Sequence, residues 1–563
     1  MESYTAIFVI AALIVLTAAI MIVRDSNENK RRFLARTQKA WGKLPHIKQS
    51  AEEYECISLY FRDCCRDLEG SLVDDITWND CDFDRIFRQM NATVSSPGED
   101  VLYSWLRTPV TDTGVLSGRE KMIRHYAKDE HSRIEVMRIL YGIGRIGKMS
   151  VYAHIRKLRE AGKIGAGKYI VLCILMCLGL AALFINPVAA LAIILPVTAA
   201  NIITYLRQKD ETGIYVKSLS CVLSLAEAAE RLSACEDECV RGYRDELKEL
   251  ARRLAPMRRG SFLVTSSTNT DTGMGGALVE YLKILFHFDL IKFDQMVASY
   301  KGNEDACLRI FEIAGTLDAA IAVASWREYL GKWCEPELLR LEKAFVEVKN
   351  MYHPLLLEPV PVSFTGEGGV LVTGSNASGK STFLKSMAIS SILAQSVHTV
   401  PAEAYKASFV RTYTSMALRD DIGSGESYFI VEIRSLKRIV DAAAEGGVPV
   451  LGIIDEVLRG TNTIERISAS SQILKELAGT KALIFAATHD IELSRILEGL
   501  YENYHFTEKI EGGDVKFDYQ LRKGPAVSRN AIALLEACGY DAAVAKAARE
   551  QAERFERTGE WRL

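Results

Sequence analysis

The stretch Gly374-Ser375-Asn376-Ala377-Ser378-Gly379-Lys380-Ser381-Thr382 carries the residue types that bind a polyphosphate. Gly374 and Gly379 free the backbone to curl, so that successive N–H groups point inward at phosphate oxygens. Lys380 reaches the β- and γ-phosphates, and the Ser381 hydroxyl is placed to ligate Mg²⁺. Downstream, Val450-Leu451-Gly452-Ile453-Ile454-Asp455-Glu456 is an apolar run ending in two carboxylates. Asp455 suits the metal side, and Glu456 suits the base that orients and deprotonates an attacking water. A third run, Ala482 to Ala487, ends in Thr488-His489-Asp490, where His489 is placed to sense a γ-phosphate. Together these residues imply Mg²⁺-dependent hydrolysis of a nucleoside triphosphate, with Glu456, His489 and Lys380 as catalytic candidates.

That chemistry requires each loop to sit at the end of a strand. Strands are predicted at Val370–Thr373, Val448–Ile454 and Ala482–Ala486, and a helix is predicted directly after the glycine loop. The helix N-terminus adds its positive dipole end to the phosphate cradle. From about Phe345 onward, short apolar runs alternate with helical patterns, as in an α/β domain, and helices close the chain near Arg529–Cys538 and over Ala542–Phe555.

A second anion-ready segment, Asp420 to Glu432 with Ser427 before a helix, lies between the glycine loop and the acid-bearing strand. One nucleotide does not need two such segments. A dimer does, if each subunit's Ser427 segment closes over its partner's ATP, with Arg459-Gly460-Thr461-Asn462-Thr463 lining the same junction.

The ordered series resembles the ATPase domain of the MutS family of DNA mismatch-repair proteins. The matching residues are Tyr352-His353-Pro354, Gly374 to Thr382, Asp420 to Glu432, Asp455-Glu456, Arg459-Gly460-Thr461, Thr488-His489 and Asn503-Tyr504-His505. Weaker similarity to the family's helical core runs through Thr93, Gly98 to Arg107, Pro109, Asp112 and Arg119. The resemblance implies ATP and Mg²⁺ as cofactors and a homodimer with composite sites. Residues 374–382, Ser427 and Asn462 would hold the nucleotide, with Ser427 and Asn462 acting across the interface. Ser381 and Asp455 would hold the metal. The fold expected for the whole chain is mixed: an α-helical core and lever region with transmembrane helices, which are foreign to the family and rest on the apolar runs below, then an α/β P-loop ATPase domain of ABC type. Ala377 and Ser378 stand where the family has Met and Gly. The short stretch before the core-like segment leaves no room for the family's mismatch-reading and connector domains.

The 563 residues carry a net charge of −3, so bulk charge does not announce a nucleic-acid binder. Apolar residues are concentrated in two places. Tyr4 to Val23 is an uncharged run long enough to cross a bilayer, and with no basic residue before it, an uncleaved anchor is expected rather than a signal peptide. Tyr169 to Leu206 is divided by Asn186-Pro187 into two short apolar segments, read as a transmembrane hairpin or as one tilted span with an interfacial piece. The flanks Arg24–Lys39, Arg156–Lys168 and Arg207–Lys209 are all basic, which places them on the cytoplasmic side of a multi-pass cell-membrane protein with about three spans. The domain expectation is an anchor (1–24), a helical core-like region (25–165), the hairpin (169–206), a helical lever-like region (207–345) and the ATPase with C-terminal dimerisation helices (346–563). Continuous helices are expected over Leu219–Leu254 and Ala277–Val297. Cys235 and Cys239 form a close pair without a second ligand pair at metal-site spacing, and read as free thiols. DNA is one candidate partner of this ATPase, in a mismatch-repair-like or DNA-structure-related role. A membrane-tethered mechanochemical ATPase acting on a protein without DNA recognition is the alternative. A transporter is disfavoured by the few spans and the lack of a Leu-Ser-Gly-Gly-Gln signature.

Overall fold

A computed structural model describes residues 28, 31–45, 50–65, 72–145, 149–162, 164–265, 281–375, 378–416, 428–458, 461–511, 514–525, 532, 539–559 and 561. The chain forms two compact units, each assembled from separate stretches. One comprises residues 1–65, 90–104 and 121–328, and the other comprises 66–89, 105–120 and 329–563. The apolar run Tyr4–Val23, most of Arg529–Cys538, Asp420 to Ser427 of the second anion-ready segment, and Arg459-Gly460 lie outside the described residues.

The first unit is helical. Helix α1 (Ser96–Arg107) opens as its sequence dictates: the Ser95 hydroxyl accepts from the Gly98 N–H at 3.2 Å, and Pro97 sits in the first turn. Helix α2 (Ala166–Ala182) and helix α3 (Pro187–Ser233) follow from the long apolar stretch. Asn186 caps α3 by accepting from the N–H groups of Val188 and Ala189. The pair packs closely where Gly179 faces Ile194, and a Cβ there would lie 2.8 Å from Ile194 Cγ1. Tyr169 donates to Gln208 Oε1 at 2.8 Å and ties the two helices at their polar end. Among the described residues, only Pro187–Lys209 is a helical segment long and apolar enough to cross a membrane; α2 is shorter. The boundary expected at residue 207 falls inside α3, which continues without a break through the return of charged residues.

Helix α4 (Glu304–Leu330) is buried along most of its length and crosses α1 through two glycines. A Cβ on Gly315 would meet Val101 Cγ2 at 2.4 Å, and one on Gly98 would meet Asp318 Oδ2 at 2.3 Å. The fully buried Asp318 accepts from the Val94 and Ser95 N–H groups at 3.1 and 2.9 Å, and from the Ser95 hydroxyl at 2.5 Å. Burial nevertheless pushes its carboxyl up to about 6.

Two helices expected to be continuous are not. Leu219–Leu254 is split between the end of α3, the short turn Glu238–Arg241 and the helix Arg244–Arg258, because Asp237 accepts from the Val240 N–H and starts a new helix. Ala277–Val297 is split, within its described part, into residues 281–286 and Phe288–Lys301. The break is His287, whose φ is 54° and whose ring stacks on Tyr169 while Nε2 lies 3.2 Å from Thr204 Oγ1.

The second unit is α/β. A four-stranded sheet has the order β1-β5-β2-β3, where β1 is Glu337–Leu339, β2 Phe345–Met351, β3 Val362–Glu367 and β5 Ala404–Ser408. A six-stranded sheet has the order β12-β9-β4-β8-β7-β6. Here β4 is Gly369–Thr373, β6 Arg411–Ser415, β7 Val450–Asp455, β8 Leu483–Thr488, β9 Tyr501–His505 and β12 Arg522–Lys523, the last two joined through an antiparallel pair of β10 (Glu508–Glu511) and β11 (Asp514–Phe517). All neighbours in it are parallel except β12 with β9. Every residue of β4, β7 and β8 is buried, which is why these strands read as unbroken apolar runs. The helices α5 (Lys380–Ser396), α6 (Tyr428–Ala444) and α7 (Thr463–Ala478) pack with them, and Leu371, Ile439, Ile454, Leu474 and Ile484 share one core. Residues 66–89 join this unit through Asp80, whose Oδ2 accepts from the Thr414 hydroxyl at 2.7 Å and the Met416 N–H at 3.0 Å.

Candidate nucleotide site

Parallel strands of an α/β sheet carry their ligands beyond their carboxyl ends. Here β4, β8 and β7 are adjacent in that order; the glycine loop and His489 follow β4 and β8, and β7 ends in Asp455 with Glu456 next. The loop after β4 needs its glycines. Gly374 has φ 144° and Gly379 has φ 107°, and a Cβ on Gly374 would lie 2.8 Å from the Phe506 carbonyl oxygen. That oxygen cannot move freely, because the Phe506 N–H donates to Thr373 O at 3.1 Å.

Lys380, the first residue of α5, is buried, and its ammonium donates to the carbonyls of Gly374 and Ser375 at 2.6 and 2.7 Å. Its charge is thereby held over the loop's concave face. The Ser378 side chain is buried, and among the described residues its hydroxyl has no hydrogen-bond partner. Ser381 donates to Asp455 Oδ2 at 2.5 Å, so the helix start and the end of β7 bring two hard oxygen donors together. Such a pair fits Mg²⁺, which prefers oxygen ligands.

Glu456 leaves β7 with φ 64°, a left-handed conformation that costs a non-glycine residue about 1–3 kcal/mol. Its N–H donates to Ala487 O at 3.0 Å, and its Oε1 lies 3.0 Å from His489 Nε2. Behind His489, Asp490 accepts two hydrogen bonds from Arg466 at 2.8 and 2.6 Å and donates its own N–H to Thr488 Oγ1 at 3.0 Å. This fork fixes the turn on which His489 sits.

The structure therefore pairs Ser381 with Asp455 and Glu456 with His489 at the carboxyl end of the sheet, with Lys380 held on the loop carbonyls and Thr382 lining the cavity beside them. Asn376, Ala377 and Ser427 lie outside the described residues. Asn462 caps α7 in its own chain, accepting from the Glu465 N–H at 3.0 Å. A cavity of about 440 Å³ adjoins the loop, lined by Met351, His353, Lys380, Ser381, Phe506 and Tyr519 among others. Sequence reasoning did not assign Met351, Phe506 or Tyr519 to the site, since apolar and aromatic residues there look like any core residue. His353 stood in a matching motif without a role. It is buried, and burial first, with the nearby Lys385 charge second, pushes its imidazole down to about 4, so it is neutral at physiological pH.

A glycine-framed phosphate cradle between a buried parallel strand and a helix, with an acid pair ending a nearby parallel strand, defines a P-loop nucleotide-binding domain. Residues 370–556 match the family model for MutS domain V. The second unit thus carries a domain similar to MutS domain V. The DNA mismatch repair protein MutS 2 of Haloarcula marismortui is 35% identical over 232 residues, which is 38% of this chain and 24% of the relative. DNA mismatch repair protein MutS of Natronomonas pharaonis is 38% identical over 186 residues, 32% of this chain and 21% of the relative. Its counterpart in Thermus thermophilus is 34% identical over 181 residues, 32% of this chain and 22% of the relative. The chain thus spans less than a quarter of the length of these curated relatives.

Proposed function

We propose that the second unit binds and hydrolyses ATP. The observation that carries this reading is the convergence of the Lys380-headed cradle, the Ser381–Asp455 pair and the Glu456–His489 pair at one sheet edge. Gly374 to Thr382 would wrap the phosphates, with Lys380 turning from its loop carbonyls toward them. Ser381 and Asp455 would hold Mg²⁺, which supplies charge neutralisation at the phosphates when bound. Glu456 takes the proton of the attacking water. His489 holds the Glu456 carboxylate in place, and the Arg466–Asp490 fork holds His489. Replacing Glu456 by Gln keeps the shape and removes the base, so ATP binding should persist while turnover falls by about 10²–10⁴-fold. Turnover within a few-fold of the parent would refute the assignment.

We further infer that the chain is membrane-attached with its ATPase on the cytoplasmic side, as a homodimer of composite sites in which Ser427 and Asn462 approach the partner's nucleotide. The exposed apolar surface of the α2–α3 pair supports the attachment. Phe184, Ile185 and Val188 at its turn are 94%, 88% and 78% exposed, and the basic residues Lys168, Arg207 and Lys209 flank it. Recovery of the full chain in a membrane fraction that resists high salt and yields to detergent is the expected result; release by salt alone would contradict it. Coupling of the ATP cycle to DNA rests on what the relatives are named for. Salt-titrated binding of homoduplex, mismatched and branched DNA to the full chain tests it, and no binding at low salt would remove DNA from the proposal.

A further inference from the structure

The helical unit gathers a second set of chemically active side chains, remote in sequence from the nucleotide loop. His125 lies in the last turn of the helix Thr113–Lys128. Asp237 caps the turn Glu238–Arg241, and Cys239 lies within that turn. The fold brings these residues together across more than a hundred positions, so that one ligand atom from each lies within 4.8 Å of the other two. His125 Nε2 is 2.7 Å from Asp237 Oδ2. The Asp237 side chain is fully buried, and that of His125 is 17% exposed, so the cluster sits just beneath the surface.

Two further contacts orient the carboxylate. Asp237 Oδ1 accepts from the Tyr126 hydroxyl at 3.2 Å and from the Val240 N–H at 3.0 Å. Oδ2 is thereby turned toward His125. Metal-binding carboxylates are held in this way by an outer set of hydrogen bonds. Lys121 and Glu238 pair at 3.1 Å on the exposed rim.

We propose that His125, Asp237 and Cys239 form a binding site for a divalent cation of the zinc type. An imidazole nitrogen, a carboxylate oxygen and a thiolate sulfur are a donor set that suits Zn²⁺, with bonds of about 2.0–2.3 Å and a fourth position left for water. Tetrahedral ligands at those lengths stand about 3.3–3.7 Å apart. Binding would require the 2.7 Å His125–Asp237 contact to open, with the three donor atoms already within 4.8 Å of one another. On binding, the thiol gives up its proton to solvent as the metal–sulfur bond forms, and no electron transfer is involved. Mg²⁺ is a poor fit because it disfavours sulfur.

The test uses the full chain, reduced and freed of metal, titrated with Co²⁺ and then with Zn²⁺. The expected result is a thiolate-to-cobalt charge-transfer band that saturates at one equivalent and is displaced by Zn²⁺. Cys239→Ser should abolish the band, and Cys235→Ser should retain it. His125→Ala should weaken Zn²⁺ binding about tenfold or more. Asp237→Asn keeps a helix-capping oxygen for the Val240 N–H. It should likewise weaken Zn²⁺ binding by about tenfold, an independent check if the serine variant folds poorly. No charge-transfer band, a band that survives Cys239→Ser, or Zn²⁺ affinity unchanged in both His125→Ala and Asp237→Asn would overturn the site.

Discussion

Replacing Gly374 by Ala should damage the nucleotide loop more than replacing Gly379 by Ala, and the structure says by how much. Both positions hold φ angles that an L side chain resists, 144° and 107°, which costs about 1–3 kcal/mol at each. The neighbours differ. At Gly379 the new methyl would meet Tyr519 Cδ1 at 3.1 Å, an aromatic side chain that can swing away. At Gly374 it would meet the backbone oxygen of Phe506 at 2.8 Å, in a segment tied to β4. Overpacking against fixed atoms adds about 1–3 kcal/mol, so Gly374→Ala should cost about 2–6 kcal/mol in total. The loop can relieve the clash only by leaving its phosphate-ready shape. A loss of 2 kcal/mol or more lowers affinity by about thirtyfold or more. Equilibrium binding of a fluorescent ATP analogue to both variants of the full chain, with urea unfolding in parallel, measures the two losses. The reasoning fails if Gly374→Ala binds within about twofold of the parent, or if Gly379→Ala is the more damaging change.

Asp318→Ala removes the acceptor of two backbone N–H groups and the Ser95 hydroxyl inside the helical unit. Leaving those donors unpaired should cost about 3 kcal/mol or more, seen as faster amide hydrogen exchange at Val94 and Ser95; unchanged protection would count against it. His353 sets a pH dependence. Folded, its imidazole protonates at about 4, whereas in the unfolded chain it protonates at about 6.5. The unfolded state therefore binds more protons between these values, and stability is lost as pH falls through that window, by up to about 3 kcal/mol. His353→Gln should flatten this part of a urea-midpoint-versus-pH profile, and an unaltered slope would exclude His353 as its source. Lys380→Met deletes the charge over the cradle and should lower ATP affinity at least tenfold, worth about 1.4 kcal/mol, with the unfolding midpoint of the helical unit unmoved.

The parts that were legible in the sequence are those where one residue type has one physical use. Glycines at positive φ, a lysine and serine after them, and carboxylates closing an apolar run can be read without a structure. So can the three buried strands, misplaced by no more than two residues at either end. Less legible is anything decided by distant partners. The break at His287 depends on Tyr169 and Thr204, which no local pattern reveals. The split after Ser233 follows from Asp237 acting as a cap rather than as a surface acid within one long helix. Asn462 reads as a ligand in a motif, and the structure adds that its Oδ1 caps α7. His353 and Phe506 line the cavity because β2 and β9 deliver the chain there, and sheet order is not written locally.

The unbroken passage of α3 through residue 207 has a mechanical consequence. Its 47 residues make a rod roughly 70 Å long at about 1.5 Å per residue. The apolar segment accounts for 23 of those residues, so the remainder is an arm of roughly 36 Å. An apolar segment adjusts to bilayer thickness by tilting, and with such an arm a tilt change of roughly 10° would carry the far end roughly 6 Å. Pro196, which cannot donate an N–H within the helix, sits on the apolar side of that fulcrum. If the proposed membrane attachment holds, bending there would be absorbed within the apolar segment, while the arm beyond residue 209 would turn as one piece. On the proposed attachment, bilayer thickness would thus be converted into displacement inside the helical unit.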